Sequence, residues 1–443
     1  MSACLVRFVP AKPPQMVNQA LRALVRDAYE NVPYYHALME ARGIIPDMIR
    51  CSSDLSRLPA TSKTALLTSG LNAYLHKHTN PARCYRTSTS GSQGIPLTIS
   101  FNGTEALWRT AMVWRTMMRY VLLAPPLTIA DVGPMTPRAN AKPAKVAGLV
   151  RLLRLPATMP IANQLSMLLD ARPAVIEGYP TCLALLTEAL EQYGGAPWKP
   201  RLIVSRGEVL HAETRADLEH LFSCPVADLY NCEEIGNVAW SCPHDPCRWH
   251  INTSACIVEI VDSEDMPLPS GVEGRILLTS LFGRTMPFLR YEIGDRAAMN
   301  APTRCSCSAY GPTLTNLNGR DDDFLMLPDG RRISPRMAAT AVVNSLQVRD
   351  ADAHTQPIRQ FQIIQQGNAQ LTLRVVLNGD GVQTPGGQTP GVQTPPGQMP
   401  TGQALAQQAA LALSAFGLPC NVEEVTTIPF APSGKFKKVL AIP

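Results

Sequence analysis

The chain has 443 residues, 45% hydrophobic and 17% charged, a composition typical of a globular protein with room for about two or three domains. Its net charge of +5 is small for this length, and the scattered Lys and Arg argue against a nucleic-acid-binding surface. No signal-like apolar run opens the sequence, and charged side chains interrupt its most apolar region, 108–132. We therefore expect a cytoplasmic protein with no membrane contact.

Hydrophobic periodicity predicts the first elements along the chain. A helix and turn are expected over 14–43, followed by short apolar strands that alternate with helical patterns. The predicted strands are 127–132, 174–177, 202–205 and 226–230. Such alternation predicts an α/β fold with mixed, mostly parallel sheets and helices on their faces. Two further strands, 256–261 and 275–280, show an alternating apolar pattern and are joined by a Pro/Gly turn. They predict that a β-rich layer follows the α/β part.

A change of pattern near residue 319 predicts a second, smaller α+β domain. Its expected elements are strands at 360–365, 371–377 and 422–425 and a helix over 404–415. The predicted domains are therefore 1–318 and 319–443. Within the second, the low-complexity segment 381–403 repeats Gln-Thr-Pro and has too few apolar residues to pack, so we interpret it as a loop insert.

A short polar segment before the first predicted sheet strand combines hydroxyls and glycines without a large side chain. It consists of Thr89, Ser90, Gly91, Ser92, Gln93 and Gly94. Glycines allow positive φ and close approach of the backbone to a ligand, and successive amides in such a turn bind anions. A flexible polar loop has the same composition, so this segment alone leaves phosphate binding and a plain surface loop both open.

Cysteine and histidine concentrate in two places in the second half of the first domain. Three thiolates and one imidazole suit tetrahedral zinc. We predict a structural zinc site made of Cys242, His250, Cys305 and Cys307, with Cys247 as the substitute for Cys242 and His244 as a weaker competitor. A hairpin of strands 256–261 and 275–280 would bring the two groups together. Reduced cysteines packed in a β layer are the alternative.

Further motifs follow the polar segment in a fixed order. They are Glu177-Gly-Tyr-Pro180, Ser205-Arg-Gly-Glu208, Asp228-Leu-Tyr-Asn-Cys-Glu-Glu234, Arg290-Tyr-Glu-Ile-Gly-Asp295, Gly319-Arg-Asp-Asp-Asp323 and Pro432-Ser-Gly-Lys435. Over nearly the whole chain, this ordered set resembles the adenylate-forming superfamily of acyl-CoA synthetases and adenylation domains. Within it, the set resembles the phenylacetate-CoA ligase and CapK-like branch. The resemblance implies ATP-dependent activation of a carboxylic acid as an acyl-adenylate, followed by transfer to a thiol.

The same resemblance implies where the nucleotide and its metal would bind. The 89–94 loop would hold the β- and γ-phosphates of ATP, Glu234 would bind Mg²⁺, and Tyr230 would stack on adenine. The remaining nucleotide-binding residues would be Gly207, Glu208, Asn231, Asp295 and Arg320. Of these, Asp295 would accept hydrogen bonds from the ribose hydroxyls.

The second domain would be a mobile lid in this family. Lys435 would enter the active site with it and neutralise charge that develops on the α-phosphate, and Asp322 would be the hinge. Arg320, beside that hinge, would reach the ribose or the phosphates. The lid would have to leave before the acceptor thiol approached, so one site would serve both half-reactions.

Departures from the family pattern leave several points open. Gln93 stands where threonine is usual, and Asn231-Cys-Glu233 replaces Gly-Ser-Thr, so Glu233 is a second candidate metal ligand. The Tyr-x-x-x-Glu spacing from Tyr230 selects Glu234. The segment 327–335 replaces a glycine-rich loop, which leaves the acceptor open among CoA, the phosphopantetheine arm of a carrier protein and an amine. A non-catalytic nucleotide-binding relative with structural zinc is a further alternative, and the protein would be a monomer or homodimer.

The identity of the acid is equally open. Five residues lie near segments that line the acyl pocket in relatives: Trp108, Trp114, Met117, Met118 and Tyr179. They favour an aromatic or apolar small-molecule acid, although the same residues at helical spacing are also typical of a plain core.

Overall fold

The computed structural model describes residues 14–89, 96–133, 144–146, 149–317, 319–320, 324–346, 358–367, 370–377, 402–429, 436 and 438–442. These residues divide into two compact units, the first ending at Leu317. The predicted α/β class is confirmed, because the first unit contains a large mixed sheet with helices packed on it. None of the helices in the described ranges is long and apolar enough to cross a membrane.

The first unit contains eight α-helices among the described residues, and the first two lie in the stretch predicted as a helix and turn. The helices are α1 Pro14–Asn31, α2 Pro33–Glu40, α3 Lys63–Ser69, α4 Leu71–Tyr74, α5 Gly103–Tyr120, α6 Ile161–Ala171, α7 Pro180–Gln192 and α8 Ala212–Phe222. Helix α5 begins with a capping box: the Glu105 amide donates to Asn102 Oδ1 at 2.9 Å and the Asn102 amide donates to Glu105 Oε2 at 2.8 Å. This cap fixes where the helix starts and therefore which of its side chains face the sheet.

Fourteen strands form the sheets of the first unit among the described residues. They are β1 Tyr85–Ser88, β2 Thr98–Phe101, β3 Leu127–Gly133, β4 Ala144–Val146, β5 Val150–Pro156, β6 Val175–Gly178, β7 Leu202–Arg206, β8 Val226–Cys232, β9 Gly236–Cys242, β10 Asp245–Ile251, β11 Cys256–Val261, β12 Glu273–Ser280, β13 Tyr291–Arg304 and β14 Tyr310–Thr315. β1 and β2 form a separate antiparallel hairpin, and the other strands form one sheet in the order β11-β12-β13-β14-β10-β9-β8-β7-β6-β3-β5-β4.

This large sheet has a parallel half and an antiparallel half. β5, β3, β6, β7 and β8 run parallel, and from β9 to β14 neighbouring strands are antiparallel. Its orientation changes where β8 turns into β9, at Glu233 and Glu234. Ligands of open α/β sheets bind at the carboxyl ends of parallel strands. The turn between β8 and β9 therefore lies at the edge where a ligand is expected.

The second unit is a small α+β assembly. Its elements are β15 Leu325–Met326, β16 Arg332–Ile333, α9 Pro335–Leu346, β17 Ile358–Gln366, β18 Gln370–Leu377, α10 Gly402–Ser414, β19 Cys420–Glu424 and β20 Val439–Ile442. Four of the strands form a sheet in the order β19-β18-β17-β20, and both helices bury apolar side chains in one core with it. The low-complexity segment lies outside the described residues up to position 401. Its predicted end at 403 is two residues too late, because α10 begins at Gly402.

Candidate active site and metal centre

Two residues of the predicted nucleotide site meet across the large sheet. Tyr230 on β8 donates its phenolic hydrogen to Oδ2 of Asp295 on β13, with 2.6 Å between the oxygens. Burial, and then the Asp295 charge, raise the pKa of Tyr230 well above its ordinary value, so the phenol stays protonated and remains a donor. The fold thus brings together two motifs that are 65 residues apart in sequence.

Gly207 follows β7 and lies against the ring of Tyr179. Its φ is +83°, a value that favours glycine, and a Cβ at this position would lie 2.8 Å from Cζ of that ring. The carboxylate of Glu208 accepts hydrogen bonds from the amide and the hydroxyl of Thr181, at 3.2 and 2.8 Å, in the first turn of α7. Glu208 therefore uses its side chain to bind a helix N-terminus, where negative charge is stabilising.

A charged cluster at the carboxyl ends of β3, β6 and β7 escaped the sequence interpretation. Arg206 Nη2 lies 2.5 Å from Oδ1 of Asp131, and its guanidinium lies 5.6 Å from the Tyr179 ring centroid. Burial raises the pKa of Glu177 to about 7, opposed by the charge of Arg206 and supported by that of Asp131. Charged residues at the ends of three neighbouring parallel strands were the sequence signal for this cluster.

The turn between β8 and β9 carries the two candidate magnesium ligands. Glu233 Oε2 accepts a hydrogen bond of 2.8 Å from the hydroxyl of Thr87 on β1. Two residues before it, Asn231 Oδ1 accepts a hydrogen bond of 2.9 Å from the side-chain amide of Asn237. Glu234 is partly buried at the wall of a cavity of about 30 Å³.

Only some of the candidate acyl-pocket residues line this cavity. Trp108 lines it and stacks on Phe282, with ring centroids 4.5 Å apart. In contrast, Trp114, Met117 and Met118 pack in the core between α5 and the parallel half of the sheet. For these three residues, the structure favours the interpretation as plain core.

The remaining predicted site residues are only partly described. Thr89 closes the base of its loop, since its amide donates to the Leu97 carbonyl and its hydroxyl accepts from the Leu97 amide, each at 3.0 Å. The rest of the loop, from Ser90 to Gly94, lies outside the described residues, as do Asp322 and Lys435. Arg320 is described, as a partly buried residue of the second unit.

Four ligand-bearing side chains meet at the far end of the antiparallel half of the sheet. One ligand atom from each of Cys242, His250, Cys305 and Cys307 lies within 4.8 Å of the others. Two of these pairs are in direct contact: Cys242 Sγ with Cys305 Sγ at 3.5 Å and Cys307 Sγ with His250 Nε2 at 3.2 Å. A tetrahedron with metal–sulfur bonds of about 2.3 Å has edges of about 3.8 Å. The four atoms therefore fit around one zinc ion.

Strand pairing explains how these ligands come together. Cys242 ends β9 and His250 lies on β10, while the two other cysteines lie in the turn between β13 and β14. β14 pairs directly with β10, with His250 opposite Thr313. The β11–β12 hairpin forms as predicted but lies beyond β13, so it does not join the two groups as we expected.

The protonation of the cluster also suits a metal. Burial lowers the pKa of His250, so its imidazole is neutral, and the Cys307 amide lowers the pKa of the Cys305 thiol to about 7. Burial raises the pKa of Cys242 to about 12, a shift that a bound cation would reverse. Neither Cys247, which is exposed, nor His244 belongs to the cluster of four. His244 Nδ1 lies 3.3 Å from the Ser306 hydroxyl.

The chain is similar in sequence to curated phenylacetate-coenzyme A ligases. The chain is 26% identical over 327 residues to a phenylacetate-coenzyme A ligase of Thermus thermophilus, covering 70% of this chain and 71% of the relative. It is 24% identical over 377 residues to the Escherichia coli K12 enzyme of the same name, covering 81% of each chain. No family model matches the chain.

Among solved structures, 2-hydroxyisobutyryl-CoA ligase in its postadenylation state with 2-HIB-AMP is similar in fold. The TM-score is 0.76 at 17% identity, covering 98% of this chain and 90% of that chain. The fold and the ordered motifs resemble those of the adenylate-forming superfamily of carboxylate ligases. Within that superfamily, the chain is similar in sequence to the phenylacetate-CoA ligases.

Proposed function

We propose that the protein activates a carboxylic acid with ATP as an acyl-adenylate and transfers the acyl group to the thiol of CoA. The observation that carries this proposal is the hydrogen bond between Tyr230 and Asp295, which joins two nucleotide motifs at the sheet edge where ligands bind. The names of the curated relatives support acid activation and CoA as the acceptor.

Different residues of the first unit would bind different parts of ATP. Tyr230 would present its ring to the adenine, and Asp295 would accept hydrogen bonds from the ribose hydroxyls. Gly207, which approaches its neighbours without a side chain, would allow the nucleotide close to the backbone. Glu234 offers the hard oxygen ligand that Mg²⁺ prefers, and Mg²⁺ held there would neutralise phosphate charge.

The second unit would supply the lid of this reaction. Lys435 would stabilise negative charge that develops at the α-phosphate, and Asp322 would absorb the backbone rotation between the two half-reactions. Both assignments derive from the motifs of the sequence.

For the acid, we propose an apolar or aromatic carboxylate. Trp108, Phe282 and Met112 line the cavity that Glu234 also reaches, so apolar walls lie next to the proposed metal ligand. Its volume of about 30 Å³ corresponds to about two water molecules, so a ring would enter only if a wall residue moved.

ATP–pyrophosphate exchange over a panel of aromatic and aliphatic acids tests adenylation. We expect Asp295→Asn to raise the KM for ATP at least about tenfold, because the amide loses the charge that strengthens ribose hydrogen bonds. The exposed Asp170, changed to asparagine, is the matched control. Equal behaviour of the two variants, or no exchange with any acid, would contradict the proposal.

The acceptor is tested in the same preparation. With CoA present, we expect an acyl-CoA thioester to form at the rate of acid consumption. Exchange without thioester would instead favour a carrier-protein arm or an amine.

We further propose that Cys242, His250, Cys305 and Cys307 hold one structural zinc ion. Four protein ligands complete a tetrahedron and leave no position for substrate, so the ion would tie the β9–β10 turn to the β13–β14 turn. The choice of a soft, thiolate-rich ligand set favours zinc over magnesium at this centre.

Elemental analysis tests this site. We expect about one zinc ion per wild-type chain and loss of it in Cys305→Ser. Cys247→Ser, which removes a nearby exposed thiol outside the cluster, should retain the metal. Wild-type protein purified without chelator and free of zinc would refute the assignment.

A further inference from the structure

One arginine of α5 holds the backbone of the turn that carries the two glutamates. Arg109 Nη2 donates to the carbonyl oxygen of Glu233 at 2.6 Å, and Nη1 donates to that of Glu234 at 3.3 Å. Both acceptors are main-chain oxygens of successive residues. The planar guanidinium therefore fixes the path of the turn.

The same guanidinium also contacts the β1–β2 hairpin, whose strands flank the 89–94 loop. Its Cζ lies 4.8 Å from the centroid of the Phe101 ring on β2. Phe101 in turn stacks on Tyr85, its partner across the hairpin, with centroids 5.9 Å apart. Arg109 thus links hairpin and turn in one continuous contact.

A second link runs from the other strand of the hairpin. The hydroxyl of Thr87 on β1 donates to the Glu233 carboxylate at 2.8 Å. Glu233 is consequently held at its carbonyl by Arg109 and at its side chain by Thr87. This double attachment gives Glu233 a structural role, which agrees with the selection of Glu234 by the Tyr-x-x-x-Glu spacing.

Close packing at the end of the turn completes the arrangement. Gly236, the first residue of β9, has φ +94°, and a Cβ there would lie 3.5 Å from Cγ of Arg109. The aliphatic part of the arginine therefore packs beneath the backbone that follows the turn.

We propose that Arg109 is a positioning residue that couples the β1–β2 hairpin to the Glu233–Glu234 turn, with Glu233 serving as the anchor and Glu234 as the magnesium ligand. The inference rests on the proposed adenylation function and deepens it. Arg109 acts through the backbone of the turn and orients the Glu234 carboxylate toward the metal that accompanies ATP.

Arg109→Met tests the proposal, because methionine keeps an apolar stem and removes both donors. In pyrophosphate exchange, we expect the KM for MgATP to rise about ten- to hundredfold, the loss expected for one or two charge-assisted hydrogen bonds. The KM for the acid should change much less, although Arg109 also lines the cavity proposed for the acid. Arg109→Lys, which restores one donor, should recover part of it. Arg119→Met, on the same helix with an exposed side chain, is the matched control.

Thr87 provides an independent variant should Arg109→Met fail to fold. Thr87→Val removes the hydroxyl at constant shape and should raise the KM for MgATP, whereas Thr87→Ser should restore it. An unchanged KM for MgATP in both Arg109→Met and Thr87→Val, or an equal rise in the KM for the acid, would overturn the coupling.

Amide hydrogen exchange separates this inference from the proposed function. In the nucleotide-free protein, Arg109→Met should exchange faster than wild type over 85–88 and 230–236, with protection elsewhere unchanged. If the wild-type protein adenylates no acid, the proposed function has failed, yet faster exchange at these two segments would still support the coupling. Unchanged exchange there would overturn it.

Discussion

Replacement of Gly207 by alanine should destabilise the first unit more than any simple loss of glycine flexibility explains. Its new Cβ would lie 2.8, 2.9 and 3.2 Å from three atoms of the Tyr179 ring. The Tyr179 ring also packs close to the backbone at Gly133, where an added Cβ would lie 3.2 Å from its Cδ1. The ring therefore has little room to move away from residue 207. Overpacking of this kind costs about 1–3 kcal/mol.

Backbone strain adds to that cost and can be measured separately. At φ +83°, alanine adopts a left-handed conformation that costs about 1–2 kcal/mol. Gly271 has φ +84°, and a Cβ added there would meet no atom within 4 Å, so Gly271→Ala incurs only the strain. We expect a loss of about 2–5 kcal/mol in the free energy of unfolding for Gly207→Ala and about 1–2 kcal/mol for Gly271→Ala.

Urea denaturation followed by tryptophan fluorescence measures both losses. The five tryptophans, Trp108, Trp114, Trp198, Trp240 and Trp249, all belong to the first unit, so the signal reports on it alone. In a Tyr179→Ala background, the difference between the two alanine variants should vanish. Equal losses in the wild-type background would refute the argument that Tyr179 dictates glycine at 207.

Three further predictions concern charge and motion. Burial raises the pKa of Glu177 from 4.5 to about 7, so its contribution to stability is full below about pH 4.5 and is lost as the pH rises to about 7. Glu177→Gln should therefore reduce the fall in the free energy of unfolding between these pH values, as measured by urea denaturation. An unchanged fall would exclude Glu177 as its source. Lys435→Ala should slow acyl-adenylate formation by about 10²-fold with ATP affinity retained, and near-normal exchange would remove Lys435 from the mechanism. Asp322→Pro should retain pyrophosphate exchange and lose most transfer to the acceptor, whereas parallel loss of both half-reactions would contradict a rotating lid.

Four of the five parallel strands were accessible to sequence analysis because they are largely buried on both faces. The fifth, β5, was not predicted, and several of its residues are exposed or half-buried. β3, β6, β7 and β8 begin and end within two residues of the predicted apolar runs. The β1–β2 hairpin was missed, since Tyr85-Arg-Thr-Ser88 is largely exposed and shows no apolar alternation. β13 was missed for a related reason: its last residues, from Ala301 to Arg304, are exposed.

Site residues could be predicted from the sequence where the residue type allows few functions, as for cysteine and histidine. Cysteine and histidine in two tight groups indicated the four ligands that the structure brings together, although the β10–β14 pairing that joins them depends on contacts distant in sequence. Arg109 carried no such signal. An arginine in an amphipathic helix is ordinarily a solvated residue, and its importance appears only when its carbonyl acceptors are known.

One strand, β13, connects the proposed ribose contact to the proposed zinc site and sets the distance between them. Asp295 lies near its start and Cys305 directly follows its end, and ten residues of extended chain span about 30 Å. An ion at the cysteine cluster is therefore far outside the reach of the proposed ribose contact. If a zinc-selective chelator removed this ion in excess magnesium, the loss of activity would not be competitive with respect to ATP. Activity would instead decay slowly, at the pace at which this end of the sheet opens.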